Sequence, residues 1–132
     1  MNELRIGIAG YGVIGKRRRG CVDANPFMTT VAVCDKKFAD NGTLDDGIAY
    51  SREYQQLFDH DLDAVLVCMS NDMAAEITIA ALERGLHVFC EKPPARTLSA
   101  LISVQNNLSK PPNLTLMLGS LDSLIIAVRH SL

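Results

Sequence analysis

The sequence has no strong excess of charge of one sign, no closely spaced cysteine pair and no long hydrophobic run. Its 132 residues carry a formal net charge of −2, which gives no reason to expect a nucleic acid as partner. No apolar stretch approaches the ~18 residues that span a membrane, and the amino terminus, with Glu3 and Arg5, is unlike a signal peptide. We therefore expect a soluble, cytoplasmic domain without membrane or nucleic-acid partners.

The cysteines argue against two further classes of protein. Cys21, Cys34, Cys68 and Cys90 form no C-x-x-C pair, and three of the four fall in predicted buried strands. This usage is typical of small core residues in a reducing compartment rather than of a disulfide framework or a zinc site. We expect no metal ion in this domain.

What the sequence does contain is a glycine motif between a predicted strand and a predicted helix. An apolar run ends at Ala9, and residues 10–15, reading GYGVIG, follow it directly. In this context G-x-G-x-x-G predicts a dinucleotide site. Gly10 allows the tight turn, Gly12 lets a pyrophosphate approach the backbone, and Gly15 lets the helix lie close to the sheet. The anion would meet the free N–H groups at the start of that helix. The candidate cofactor-binding residues here are Gly10, Tyr11, Gly12, Val13, Ile14 and Gly15.

An acidic residue after the second predicted strand, residues 29–34, supports the same hypothesis. Asp35 closes that strand about 20 residues beyond the glycine motif, where a carboxylate accepts hydrogen bonds from the adenosine ribose. The carboxylate repels a 2′-phosphate, so it favours NAD over NADP. Lys36 and Lys37 follow at once and could offset that repulsion, so use of NADP stays open. Of these two lysines we take Lys36 as a candidate cofactor residue.

A basic run, residues 16–19, lies just beyond the glycine motif on the first predicted helix. Lys16 or Arg17 could reach a cofactor phosphate. A solvated helix face would give the same pattern, and the sequence alone leaves both interpretations open.

The remaining pattern alternates strands and helices. Strands are predicted at 48–50, 64–69, 87–90 and 114–118, and helices at 13–24, 52–58, from 73 to a stop at Gly85, and from 97 onward. Such alternation predicts an α/β fold, a doubly wound parallel Rossmann sheet of strand order 3-2-1-4-5-6. Ligands bind such sheets at the carboxyl ends of the first and fourth strands.

Residues 80–93, reading AALERGLHVFCEKP, resemble the "AL..G.HV..EKP" signature of the glucose–fructose oxidoreductase/inositol dehydrogenase family (Gfo/Idh/MocA). The resemblance implies an NAD(P)-dependent oxidoreductase that transfers hydride between nicotinamide and a sugar- or cyclitol-type hydroxyl. It gives Lys92 the catalytic position beside nicotinamide and substrate, with Glu91 and Pro93 shaping the turn. An ammonium there would orient a hydroxyl or polarise the carbonyl that forms. Met69, Ser70 and Asn71 match the family's residues along the cofactor at the end of the fourth strand.

The chain also departs from the family pattern. Ala74 stands where a histidine is common in the family, and the segment after Gly119 does not match the family's. From the length of the sequence we also expect the family's second α+β domain to be absent. We therefore expect a Rossmann domain at 1–119 and, at 120–132, an amphipathic helix that once led to the missing domain. Its broad apolar band predicts self-association as a homo-oligomer, for example a dimer.

Two functions from different classes follow. The first is the NAD(P)-binding domain of a sugar or cyclitol oxidoreductase, not catalytically complete alone, which would take a sugar-like substrate once a second domain is supplied. The second is a non-catalytic module that senses the dinucleotide for regulation or serves as a scaffold. Residues 10–16 also resemble archaeal phosphorylating glyceraldehyde dehydrogenases, but the EKP stretch and the lack of a cysteine nucleophile motif argue against that group.

Overall fold

A computed structural model describes residues 3–69, 73–91, 114–119 and 124–130 of the chain. The helix predicted from residue 97 onward lies outside these ranges, within which the chain forms eight strands and three helices. In chain order they are β1 Leu4–Ala9, α1 Val13–Asp23, β2 Met28–Cys34, β3 Gly42–Thr43, β4 Ala49–Ser51, α2 Tyr54–Leu57, β5 Ala64–Val67, α3 Met73–Glu83, β6 His87–Glu91, β7 Leu114–Gly119 and β8 Leu124–His130.

All eight strands form one sheet of order β3-β4-β2-β1-β5-β6-β7-β8. The six strands from β4 to β7 are parallel and reproduce the predicted order 3-2-1-4-5-6, which is thereby confirmed. Two antiparallel edge strands extend this arrangement, β3 beside β4 and β8 beside β7. The predictions omitted β3, because a strand of two residues leaves no periodic signal.

The central strands are buried because helices cover both faces of the sheet. Ile8 of β1 faces Val33 of β2 on one side and Leu66 of β5 on the other. Ile8 and Val33 pack with Val22 of α1 on one face, and Val65 and Val67 pack with α2 and α3 on the opposite face. Sheets buried on both faces need continuous apolar strands, as residues 64–67 show.

Helix α3 ends as its sequence predicts. Gly85 has φ +79°, a left-handed conformation that favours glycine. Its N–H donates to the carbonyl of Leu82, and the N–H of Leu86 donates to that of Ala81, which is a Schellman motif. The buried residues of α3 are Ala74, Ile77, Thr78, Ala81 and Leu82.

The helix expected at 120–132 is wrong, because residues 124–130 form strand β8, antiparallel to β7. The apolar residues of this segment fit a helical period, but they also form an uninterrupted run rich in β-branched side chains, which suits a strand. Hydrogen bonding to the edge strand β7 favours the strand over the helix for this segment. Two further elements are shorter than predicted. The helix predicted at 52–58 is observed as Tyr54–Leu57, and the strand predicted at 64–69 is observed as Ala64–Val67.

No helix in the described ranges is long and apolar enough to cross a membrane.

Candidate functional site

The glycine turn joins the carboxyl end of β1 to the first turn of α1. Gly10 adopts φ +94°, and its N–H donates to the carbonyl of Cys34 at the end of β2. Gly12 precedes the first residue of α1 in an extended conformation, and the described contacts give this end of the helix no side-chain cap. The first N–H groups of α1 are therefore directed toward the space in front of the turn.

The three glycines of the motif are required for different reasons. A Cβ on Gly10 would lie 2.7 Å from the carbonyl oxygen of Cys68, and one on Gly15 would lie 1.9 Å from that of Gly10. These two positions are therefore required by the fold itself. A Cβ on Gly12 would meet only the ammonium of Lys37, at 3.4 Å. Packing does not require glycine at position 12, whereas a phosphate approaching the backbone would. The turn thus fits a dinucleotide pyrophosphate.

Asp35 lies at the carboxyl end of β2 and is tied to this turn. Its Oδ2 accepts a hydrogen bond of 2.6 Å from the backbone N–H of Tyr11, and its Oδ1 accepts one of 2.8 Å from the N–H of Lys37. Each carboxylate oxygen has a second acceptor position. The carboxylate is thus held in place and can still accept bonds from a diol.

Arg52 fixes the turn that carries Asp35. Its Nη1 donates to the backbone carbonyls of Lys36, at 2.6 Å, and Phe38, at 2.9 Å. Arg52 is 16 residues from Lys36 in the chain, so no local pattern pointed to this role.

Two clefts open on either side of Gly12, Asp35 and Lys37, which line both of them. The smaller cleft, about 290 Å³, lies at the carboxyl ends of β1, β2 and β5 and is also lined by Gly10, Lys36, Arg52, Tyr54, Met69 and Met73. The larger cleft, about 670 Å³, lies beside the first turns of α1 and is also lined by Tyr11, Val13, Lys16, Arg19, Phe38 and Asp46. The predicted residues Gly10, Gly12, Asp35, Lys36 and Met69 are therefore brought together at one edge of the sheet.

The basic residues of α1 have different surroundings, so contact with a cofactor phosphate and a solvated helix face do not apply equally to all of them. Lys16 lines the larger cleft, with its ammonium 5.7 Å from the ring centroid of Tyr11. Arg17 is exposed. Arg19 is half-buried and structural: it donates to the hydroxyl of Tyr11 and forms ion pairs with Asp23 and Asp46.

The other predicted site residues lie at the margin of the clefts, contribute only backbone atoms, or lie outside the described residues. Val13 is exposed at the larger cleft, and the side chain of Ile14 packs toward the core, so only its backbone belongs to the turn. Glu91 ends β6, opposite Gly119 of β7. The remaining predicted residues, Ser70, Asn71, Lys92 and Pro93, lie outside the described residues.

The buried thiols are core groups, as predicted. Cys34, Cys68 and Cys90 are buried, Cys21 is exposed, and none of the four, all within the described ranges, is in a disulfide. Burial raises the pKa of the Cys34 thiol to about 12. Among the described residues no cluster of metal-ligating side chains is found.

Comparison with known proteins identifies the family. Residues 4–119 match the oxidoreductase family with an NAD-binding Rossmann fold, Gfo/Idh/MocA. The chain belongs to this family. The match confirms the predicted family and the predicted cofactor class. The chain is 36% identical to inositol 2-dehydrogenase from Klebsiella pneumoniae over 102 aligned residues. The aligned region covers 72% of this chain and 30% of that enzyme.

Solved structures of the family agree with the fold. Myo-inositol 2-dehydrogenase from Lactobacillus plantarum superposes with a TM-score of 0.70 at 25% identity, over 89% of this chain and 36% of that one. A 3-ketoreductase from Actinomadura kijaniata, solved in complex with NADP, gives a TM-score of 0.65 at 25% identity, over 88% and 38%. The chain thus spans about a third of the length of the family members it matches.

Proposed function

We propose that the chain binds NAD(H) in the two clefts around Gly12, as the cofactor domain of an oxidoreductase acting on a sugar- or cyclitol-type hydroxyl. The observation that carries the proposal is the open space over Gly12. That glycine is not required by packing, and it directly precedes the first N–H groups of α1, an end of the helix with no side-chain cap among the described contacts. An anion bound there is stabilised by those N–H groups and by the helix dipole.

Each part of the turn then has a role toward the cofactor. The backbone of residues 10–15 holds the pyrophosphate, and Asp35 accepts hydrogen bonds from the ribose diol. Lys36 and Met69 line the smaller cleft, which suits an adenine ring. When bound, the nicotinamide supplies the hydride chemistry. We assign Lys92, with Glu91 and Pro93, to the catalytic turn, and Ser70 and Asn71 to the cofactor's nicotinamide side, on the family signature alone.

Titration with NADH tests this proposal. Gly12→Ala should raise the NADH Kd at least about tenfold, since the added methyl group occupies the space of the phosphate. Its free energy of unfolding should change by no more than about 1 kcal/mol, the range for a helix N-cap substitution. Gly20→Ala is the matched control, because a methyl group there meets nothing within 4 Å. Equal NADH affinity in Gly12→Ala and the unaltered chain would contradict the proposal.

A turnover assay addresses the substrate. Reduction of NAD in the presence of a polyol or sugar would establish an oxidoreductase. Binding without turnover is what both an incomplete dehydrogenase domain and a non-catalytic dinucleotide sensor predict. Restoration of turnover by a family substrate domain supplied in trans would then favour the dehydrogenase.

We also retain self-association and a cytoplasmic location as predictions. The helix on which the homo-oligomer was predicted is a strand instead, but β8 is the last strand of the sheet, and edge strands can pair with another chain. Four unbridged thiols suit a reducing compartment. Light scattering over a range of concentrations tests the first prediction, and a constant monomer mass would contradict it.

A further inference from the structure

One peptide group links Arg52 to Asp35. The carbonyl of Lys36 and the N–H of Lys37 belong to the same peptide unit, which is planar and trans, so the two groups point in opposite directions. Nη1 of Arg52 donates to that carbonyl at 2.6 Å, and Oδ1 of Asp35 accepts from that N–H at 2.8 Å. A continuous chain of hydrogen bonds therefore runs from the guanidinium through the peptide to the carboxylate.

Arg52 is itself anchored at more than one atom. Its Nη1 also donates to the carbonyl of Phe38, at 2.9 Å, and its backbone N–H donates to Oδ1 of Asn41, at 3.0 Å. The side chain is about half exposed (48%) and lines the smaller cleft. Two bonds from one cation, to carbonyls on either side of Lys37, restrain the peptide group that reaches Asp35.

We propose that Arg52 is a positioning residue for recognition of the ribose: it orients and polarises the peptide N–H that holds Asp35, and so presents the carboxylate to the 2′-hydroxyl. The inference rests on the proposed function, in which Asp35 accepts hydrogen bonds from the ribose diol. A charged donor strengthens a hydrogen bond, and hydrogen bonds in a chain polarise one another. Because Lys37 holds Oδ1 and Tyr11 holds Oδ2, the remaining acceptor positions of the carboxylate have a fixed direction.

Two nucleotides isolate this effect from the other contacts of the site. ADP and 2′-deoxy-ADP carry the same adenine and pyrophosphate and differ only in the 2′-hydroxyl, so the ratio of their Kd values reports the bond from that hydroxyl to Asp35. Calorimetric titration of the 132-residue chain with each nucleotide gives the ratio. In the unaltered chain we expect 2′-deoxy-ADP to bind at least about tenfold more weakly, as for the loss of one hydrogen bond to a charged acceptor.

Variants then assign the effect to Arg52. Arg52→Met should reduce the ratio to less than about threefold, because the peptide loses its charged donor and Asp35 loses its fixed orientation. Any direct contact between Arg52 and adenine cancels in the ratio. Arg52→Lys should keep most of the ratio, since an ammonium also donates to carbonyls.

Arg5→Met is the matched control. Arg5 also donates to a backbone carbonyl, that of Asp61 at 2.6 Å, and is similarly exposed (44%), but it lines neither cleft. The ratio should be unchanged in this variant. Urea denaturation checks that each variant is folded, and if Arg52→Met is not, Arg52→Gln, which keeps a neutral donor, takes its place with a smaller expected fall in the ratio.

Hydrogen exchange of the ligand-free chain gives a second readout. The amide proton of Lys37 should exchange with solvent faster in Arg52→Met than in the unaltered chain, because its bond to Asp35 is weakened. The amide protons of β1 should exchange at an unchanged rate relative to the stability of each variant, since they open only on wider unfolding. Arg5→Met should leave the Lys37 amide unchanged.

The outcomes separate the two proposals. A ratio that falls in Arg52→Met and not in Arg5→Met supports the positioning role. An unchanged ratio in a folded Arg52→Met variant, even where both nucleotides bind more weakly, overturns that role and leaves the dinucleotide site standing; an equal fall in Arg5→Met also overturns it. A ratio near one in the unaltered chain overturns the positioning role together with the assignment of Asp35 to the ribose. Failure of both ADP and NADH to bind overturns the proposed function itself.

Discussion

The α-carbon of Gly15 lies directly against the backbone of Gly10, so that a methyl group at position 15 would be 1.9 Å from the Gly10 carbonyl oxygen. This contact brings the first turn of α1 onto the end of β1. It places the first N–H groups of α1 beside the glycine turn on which the candidate site is built.

Gly15→Ala should therefore destabilise the chain strongly, by about 2–3 kcal/mol or more, because backbone atoms rather than a flexible side chain must move. Gly20→Ala lies in the same helix with open space around it, and should instead stabilise the chain by about 0.5–1 kcal/mol. Urea denaturation of the two variants measures both effects. Changes of the same sign would contradict the packing argument.

Asp35 has a structural as well as a binding role, and the two can be separated. Asp35→Ala leaves the N–H of Tyr11 without its carboxylate partner, and we expect a loss of about 1.5–3 kcal/mol in unfolding free energy together with weaker NADH binding. Asp35→Asn keeps an acceptor oxygen and removes the charge. It should recover most of the stability and should shift the cofactor preference toward NADPH, as measured by parallel titrations. A preference unchanged in Asp35→Asn would rule out charge as the selecting factor.

The elements that the sequence predicted correctly are those fixed by local chemistry. The turn at Gly10 and the Schellman motif at Gly85 need left-handed glycines at defined positions after periodic apolar segments. The strand order followed from the alternation of strands and helices, since short right-handed connections allow few alternatives.

Contacts between distant residues were not predictable. The pairing of Arg19 with Asp46 spans 27 residues, and that of Arg52 with the carbonyl of Lys36 spans 16. Both residues looked like ordinary surface arginines. The segment Leu124–His130 satisfies both a helical and a strand pattern, and only the presence of β7 beside it selects the strand.

Thiol reactivity should report the burial of the carboxyl end of β2, where Cys34 lies. At pH 8 a thiol with the pKa of Cys34, raised by burial to about 12, is ionised to only ~10⁻⁴. Iodoacetamide should therefore modify exposed Cys21 in the native chain and Cys34 only after unfolding. Peptide mapping by mass spectrometry distinguishes the two sites, and Cys21→Ser should remove the native reaction. Modification of Cys34 at the rate of Cys21 would contradict its placement in the core.

The turn around Asp46 should respond to acid. The N–H of Ile48 donates to its carboxylate, and together with the ion pair to Arg19 this outweighs the opposing effect of desolvation and holds the pKa of Asp46 below its ordinary value. Because the pKa is lower in the folded state, the carboxylate contributes stability above its unfolded pKa of about 3.9, and this contribution is lost as the pH falls through the folded pKa. Asp46→Asn should thus destabilise the chain at pH 7 and have no effect once the pH is well below the folded pKa of Asp46. Carbon-13 NMR titration measures the pKa directly. Arg19→Met should raise it part of the way back, since the bond from Ile48 remains; an unchanged pKa in that variant would show that the ion pair contributes nothing.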